Sequence, residues 1–254
     1  MKVGCCAYSF RQYLSSGEMS LFGFLEKGVE IGLDGVELTS YYFPSTDDEF
    51  LYSLKRKAYL LGLEISGTAV GNNFCLADEA ERAKQVTMTK SWIDNSVKLG
   101  APCMRVFAGG APSGHAEEEA RNWCIDSLKE CLDYAKPRGI LLALENHGGI
   151  TSTAEQTLAI IKAVDDEWLG VNLDTGNYRN AYEGIEKTAP YAITCHAKTE
   201  IPGPSGKEIA DFRKIADILA KAGYKGYLSI EYEAAEDPMT AVEKFVSYLK
   251  EIVG

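Results

Sequence analysis

Four short apolar runs in the second half of the chain each end in a residue able to bind a cation or move a proton. Leu141-Leu142-Ala143-Leu144 ends in Glu145, Gly170-Val171-Asn172-Leu173 in Asp174, Ile193-Thr194-Cys195 in His196, and Tyr227-Leu228-Ser229-Ile230 in Glu231. Three carboxylates and one imidazole brought into one cavity would repel one another unless protons or a cation compensated them. A single divalent ion resolves this. Carboxylate-rich sets with one imidazole suit Mn2+, Mg2+ or Co2+, with Zn2+ as a further candidate. Any one of these residues alone would read as a solvated strand end or a helix cap; the recurrence at four successive runs argues for a common metal site.

Strand alternation tests whether the four can converge, because successive side chains point to opposite faces. Val171 and Leu173, Ile193 and Cys195, and Leu228 and Ile230 are out of phase with the ionisable group and apolar. Gly170 and Asn172, Thr194, and Ser229 are in phase and small or polar. The phase therefore turns Asp174, His196 and Glu231 to one side, and Glu145 joins them by its position at a strand end.

Other residues are open to two readings. Glu37 ends a strand and either binds substrate or faces solvent. Lys198, in phase with His196, either steadies an enediolate or pairs with a ligand carboxylate. His147, two residues past Glu145, is in phase with it and is a candidate substrate contact. Arg105 reads as structural, His115 as an exposed helix-entry residue, and Tyr8, Phe10 and Phe74 as core packing. The stretch from Gly203 to Lys207 suits either an anion, through backbone N–H groups and one Lys, or a mobile lid.

The elements that must position these groups follow one joint: an amphipathic helix, a Gly, then a short apolar run ending in polar residues. It recurs at Gly32, Gly62, Gly100, Gly139 and Gly223, where Gly serves as a left-handed helix cap. Runs of the kind a parallel sheet buries on both faces begin near Val3, Gly35, Ile65, Cys103, Leu141, Gly170, Ile193 and Tyr227. Helical patterns separate most of them, the shortest at residues 181–187. Thr46 with Glu49 and Ser152 with Glu155 read as capping boxes, and Asp237-Pro238 as a cap followed by Pro at the first helical position. Eight strand–helix units predict a single closed (β/α)8 barrel domain over residues 1–254, whose chemistry belongs at the strand C-termini. An open doubly wound sheet lacks its Gly-rich dinucleotide turn here.

Composition narrows the partners. A net charge of −11 speaks against nucleic acid, which is held mainly by clustered Lys and Arg, and against anionic membranes. Seven cysteines without a CxxC pair fit reduced, packed thiols. The N-terminus has no long apolar core of a signal peptide, and no run reaches membrane-spanning length. A cytoplasmic protein is expected, its oligomeric state left open.

The chain resembles the sugar phosphate isomerase/epimerase superfamily of xylose-isomerase-like barrels. The resemblance rests on AYSFR (residues 7–11), GLDGVEL (32–38), LEN (144–146), LDTGN (173–177), HAK (196–198) and YKGYLSIEYE (224–233), and spans nearly the whole chain. It implies that Glu145, Asp174, His196 and Glu231 hold one divalent metal ion, and that Glu145 and Glu231 move protons on opposite sides of a carbohydrate. The family often has His where Asn177 stands, which implies a substrate contact there, and often Asp where Thr199 stands. The implied activity is a metal-dependent isomerisation or epimerisation of a ketose or related polyol through a cis-enediolate. Two alternatives stand beside it: a lyase or dehydratase on a keto-inositol or keto-glycoside using the same first step, and a sugar-binding barrel without catalysis.

Overall fold

The computed structural model describes residues 1–203 and 206–254. Eight of its strands close into one all-parallel barrel: β1 (Lys2–Cys6), β2 (Gly35–Thr39), β3 (Glu64–Ala69), β4 (Cys103–Val106), β5 (Leu141–Glu145), β6 (Leu169–Asp174), β7 (Ala192–Ala197) and, last in the chain, β10 (Tyr227–Ile230). Each of the eight expected runs is a barrel strand, within a residue of its expected start. The two intervening strands, β8 (Glu200–Gly203) and β9 (Gly206–Ile209), pair antiparallel outside the barrel. They occupy the loop after β7, so Gly203 and Lys207 lie on a hairpin; residues 204 and 205 of that loop lie outside the described residues.

Around the barrel run α1 (Arg11–Ser16), α2 (Leu21–Glu30), α3 (Asp48–Leu60), α4 (Glu79–Leu99), α5 (Glu117–Ala135), α6 (Ala154–Val164), α7 (Ala181–Thr188), α8 (Phe212–Lys221) and α9 (Pro238–Val253). The joint glycines work as expected: α4 is capped by Gly100 at φ 80°, a left-handed conformation that costs any residue with a Cβ. Two caps differ from expectation by one residue. Asp47, not Thr46, caps α3, accepting from the Phe50 N–H at 2.8 Å. Thr153 and Gln156, not Ser152 and Glu155, form the capping box of α6. In both, the residue with extended backbone immediately before the first helical turn is the cap, and the sequence offered two neighbouring candidates. Asp237 and Pro238 behave as read, with Asp237 accepting from Met239 N–H.

Outward strand residues such as Val36, Leu38, Leu142, Leu144, Val171, Leu173, Leu228 and Ile230 are fully buried against the helices. All seven cysteines are buried free thiols. No helix among the described residues is long and apolar enough to cross a membrane.

Register does the final positioning. Between β6 and β7 the pairing passes from Val171↔Ala192 to Asn172↔Thr194, leaving Ile193 as an extra residue, and then sets Asp174 beside His196. Ser229 pairs with His196 and Asn172 with Glu145. A β-bulge of this kind re-aims the residues beyond it.

The cap assignment is testable by urea denaturation. Asp47→Ala and Thr153→Ala should each cost about 1 kcal/mol, whereas Thr46→Ala should stay within about 0.5 kcal/mol as an ordinary surface change. Equal losses at positions 46 and 47 would refute the observed caps.

Candidate metal centre

Glu145, Asp174, His196 and Glu231 sit at the C-terminal ends of β5, β6, β7 and β10, all of them 5% exposed or less. One ligand atom from each can be chosen so that all lie within 4.8 Å of one another. Ligands about 2.0–2.5 Å from a common ion stand roughly 3–5 Å apart, so the donor set fits a divalent cation. Asp174 Oδ2 is buried without a hydrogen-bond partner, as a carboxylate oxygen reserved for an ion would be.

Backbone-anchoring bonds hold the four in place. The Asn146 side-chain amide donates to Asp174 O at 2.9 Å and accepts from Asp174 N–H at 2.8 Å, which ties β5 to β6. Gly176 N–H donates to Asp174 Oδ1 at 2.8 Å. Thr175 donates through Oγ1 to His196 O and accepts from Lys198 N–H, tying β6 to β7. Asn172 Nδ2 donates to Glu145 Oε2 at 3.0 Å.

Cations inside the cluster offset its carboxylates. Arg105 Nε lies 3.2 Å from Glu145 Oε2, with the guanidinium 3.8 Å from the Phe107 ring centroid. Lys198 Nζ lies 2.8 Å from Glu231 Oε2 and 3.4 Å from Asp174 Oδ2, and also pairs with Glu233. His196 Nδ1 faces Glu231 at 3.4 Å, Glu145 at 3.6 Å and Asp174 at 4.0 Å. Proton affinities follow this arrangement. Burial, reinforced by Glu145 and Glu231 and opposed by Lys198, raises Asp174 to about 7. Burial also lifts Glu145 against the pull of Arg105. Burial would lift Glu231 as well, but His196 and Lys198 hold it well below the usual carboxylate range. Burial disfavours charge on His196, yet the Glu37 and Glu231 carboxylates raise it well above the usual imidazole range.

The other expected site residues fall at different depths. Lys198 is buried inside the cluster. Asn177 is half-buried, with Nδ2 3.5 Å from Glu145 Oε1. His147 is exposed, its ring packs on Phe107 with centroids 4.4 Å apart, and the desolvation of that packing, followed by Arg105, lowers its proton affinity. Glu37 is 2% exposed and contacts His196 Nε2, the nitrogen turned away from the four-residue cluster. Phe10 and Phe74 are fully buried core residues, while His115 lies beside Glu119 and Trp123 at the start of α5. Sequence reasoning treated Arg105 as structural and gave Asn146 and Thr175 no role. Asn146 directly follows Glu145 and Thr175 directly follows Asp174 at a strand end, and only the neighbouring strand shows what they bond.

A separate groove of about 610 Å³, lined by residues such as Tyr52, Tyr59, Leu99 and Tyr227, opens at the N-terminal ends of β3 and β10, at the opposite end of the strands from the cluster.

Known proteins share this fold. L-ribulose-5-phosphate 3-epimerase UlaE of Escherichia coli K12 is 25% identical over 186 residues, which cover 68% of this chain and 65% of the relative's length. Among solved structures, D-psicose 3-epimerase from Clostridium cellulolyticum H10, determined with D-tagatose, superposes with a TM-score of 0.80 at 18% identity, covering 99% of this chain and 98% of that one. A xylose isomerase-like TIM barrel protein from Mycobacterium smegmatis in complex with magnesium superposes with a TM-score of 0.75 at 18% identity, covering 99% and 96%. The model of the xylose isomerase-like TIM barrel matches residues 25–252, and the chain belongs to that family.

Proposed function

We propose that this chain is a divalent-metal-dependent sugar isomerase or epimerase acting on a ketose or related polyol. The observation that carries the reading is the buried set of three carboxylates and one imidazole within 4.8 Å at the strand C-termini. The 3-epimerase relative and the magnesium-bearing neighbour of the same fold support it. Glu145, Asp174, His196 and Glu231 would hold the ion. When bound, it supplies Lewis acidity that polarises a substrate carbonyl and lowers the barrier to losing the proton on the adjacent carbon.

The chain's own groups supply the rest. One of Glu145 and Glu231 removes the proton, and the other returns one from the opposite face, which interconverts epimers through a cis-enediolate. Return to the neighbouring carbon gives aldose–ketose isomerisation. The two carboxyls have different neighbours: Glu145 Oε2 faces the Arg105 guanidinium at 3.2 Å, and Glu231 Oε2 faces the Lys198 ammonium at 2.8 Å. Lys198, held among Asp174, Glu231 and Glu233, places an ammonium where negative charge develops. Asn177 and His147, less buried than the cluster, would meet substrate hydroxyls. We place the protein in the cytoplasm, because its seven thiols are all buried and unpaired.

Purified protein should carry about one divalent ion per chain, and Asp174→Asn or His196→Ala should strip it. Elemental analysis showing full occupancy in both variants would refute the ligand set. Chelation should lower the melting temperature, since an ion at a hundred times its dissociation constant stabilises by about 2.7 kcal/mol; an unchanged melting curve after verified removal would count against a site within the fold.

The proton transfers are read by isotope exchange. Metal-loaded protein, incubated in D2O with ketoses, keto-inositols and keto-glycosides, should wash deuterium into one of them. Release of water or an aglycone in place of an epimer would identify the lyase reaction. Glu145→Gln and Glu231→Gln should each lower turnover by about 10² or more. For a given epimer one variant should still exchange the substrate proton and the other not, with the roles reversed from the opposite epimer. Normal interconversion by both variants would sink the two-glutamate mechanism.

A further inference from the structure

We infer that Glu37 is a positioning residue: its carboxylate accepts the Nε2–H of His196 and so fixes the imidazole with the Nδ1 lone pair toward Glu145, Asp174 and Glu231. This rests on the metal-site reading above and extends it to the far side of the barrel. His196 Nε2 is 3.0 Å from both Glu37 oxygens. An ionised carboxylate can only accept, so the ring nitrogen facing it carries the hydrogen. The other nitrogen then carries the lone pair, as a metal ligand must; it is the one that faces the remaining three carboxylates, with the Asn172 amide nitrogen 3.2 Å away. A histidine side chain without such a partner can turn its ring over and offer either nitrogen. Here one orientation is pinned.

The fold makes room for this contact. Along β2 and β3 the pairing passes from Val36↔Ile65 to Glu37↔Gly67, so Ser66 is an extra residue, and its hydroxyl donates to Val36 O at 3.0 Å. The bulge brings Gly67 beside Glu37. A Cβ at position 67 would lie 3.8 Å from Glu37 Cγ and 3.1 Å from Cys103 Sγ, tighter than most real contacts. Glu37 is 2% exposed, and among the described residues its carboxylate has no hydrogen-bond or ion-pair partner other than His196. A carboxylate buried this deeply is costly unless it is paired, and His196 is the group that pairs with it. With an ion bound at Nδ1, the outer carboxylate would orient the ring and raise its donor strength.

The chain's three histidines make the test direct. In magnesium-loaded, 15N-histidine-labelled protein, long-range nitrogen–proton spectra should show His196 with the hydrogen on Nε2 and Nδ1 displaced by the ion; His115→Gln and His147→Gln assign the other two signals. Glu37→Leu should weaken Mg2+ or Mn2+ binding by about 10- to 100-fold in calorimetric titration. Glu37→Gln, which keeps an acceptor oxygen, should bind more tightly than Glu37→Leu and retain the Nε2–H pattern. A wild-type spectrum with the hydrogen on Nδ1, or Glu37→Leu binding the ion as tightly as wild type, would overturn the inference while leaving the metal site standing. Failure of the wild type to take up any ion would instead remove the metal reading itself.

Discussion

The structure is organised around charge compensation in a dry place. Glu37, Glu145, Asp174 and Glu231 are buried together at one end of the barrel, where like charges interact far more strongly than in water. The fold answers with groups from neighbouring strands: the cations Arg105 from β4 against Glu145 and Lys198 just beyond β7 against Asp174 and Glu231, and the His196 imidazole from β7 among four carboxylates. The balance is incomplete: burial, with Glu145 and Glu231 close by, pushes Asp174 up to about 7, and one of its oxygens has no hydrogen-bond partner. A divalent ion would complete it. The residues that make the site chemically useful are thus those that make it costly to assemble, and they are held only because all eight strands enforce their approach.

That enforcement explains the amides and hydroxyls around the cluster. Asn146 and Thr175 make no claim on an ion, yet each joins two adjacent strands at the level where ligand side chains emerge. They fix the spacing of the strand ends, where barrel ladders stop and the backbone would otherwise splay into loops. Preorganised supports of this sort keep a charged constellation from relaxing apart before substrate arrives.

Much of this was legible in the chain itself. The eight strands followed from the repeated Gly joint, and the convergence of Asp174, His196 and Glu231 followed from alternation, because both are local periodic signals. What failed to show was whatever depends on a partner distant in sequence. Glu37 looked like any polar strand end; its role needs β2 and β7 placed across the barrel from each other. Arg105 looked structural because Glu145 pairs with it only through the β4–β5 register. The caps at Asp47 and Thr153 slipped by one position because two capping residues stand side by side in each case. The β8–β9 hairpin gave no period-two signal at all, being four residues long on each side and interrupted by Pro202 and two glycines.

The extra residue at Ile193 carries a consequence for how this sequence can vary. Strand alternation normally couples every position to every other, so that gaining or losing one residue inverts all side chains beyond it. At Ile193 the ladder between β6 and β7 is already out of step, and the site-bearing half of β7 restarts its pairing at Thr194. A one-residue length change before that point, toward α7, is absorbed where pairing is already interrupted. The same change between Thr194 and His196 would turn the imidazole into the helical shell, with Cys195 taking its place after an insertion and Ala197 after a deletion. The bulge therefore divides β7 into a tolerant half and an intolerant one, separated by a single residue.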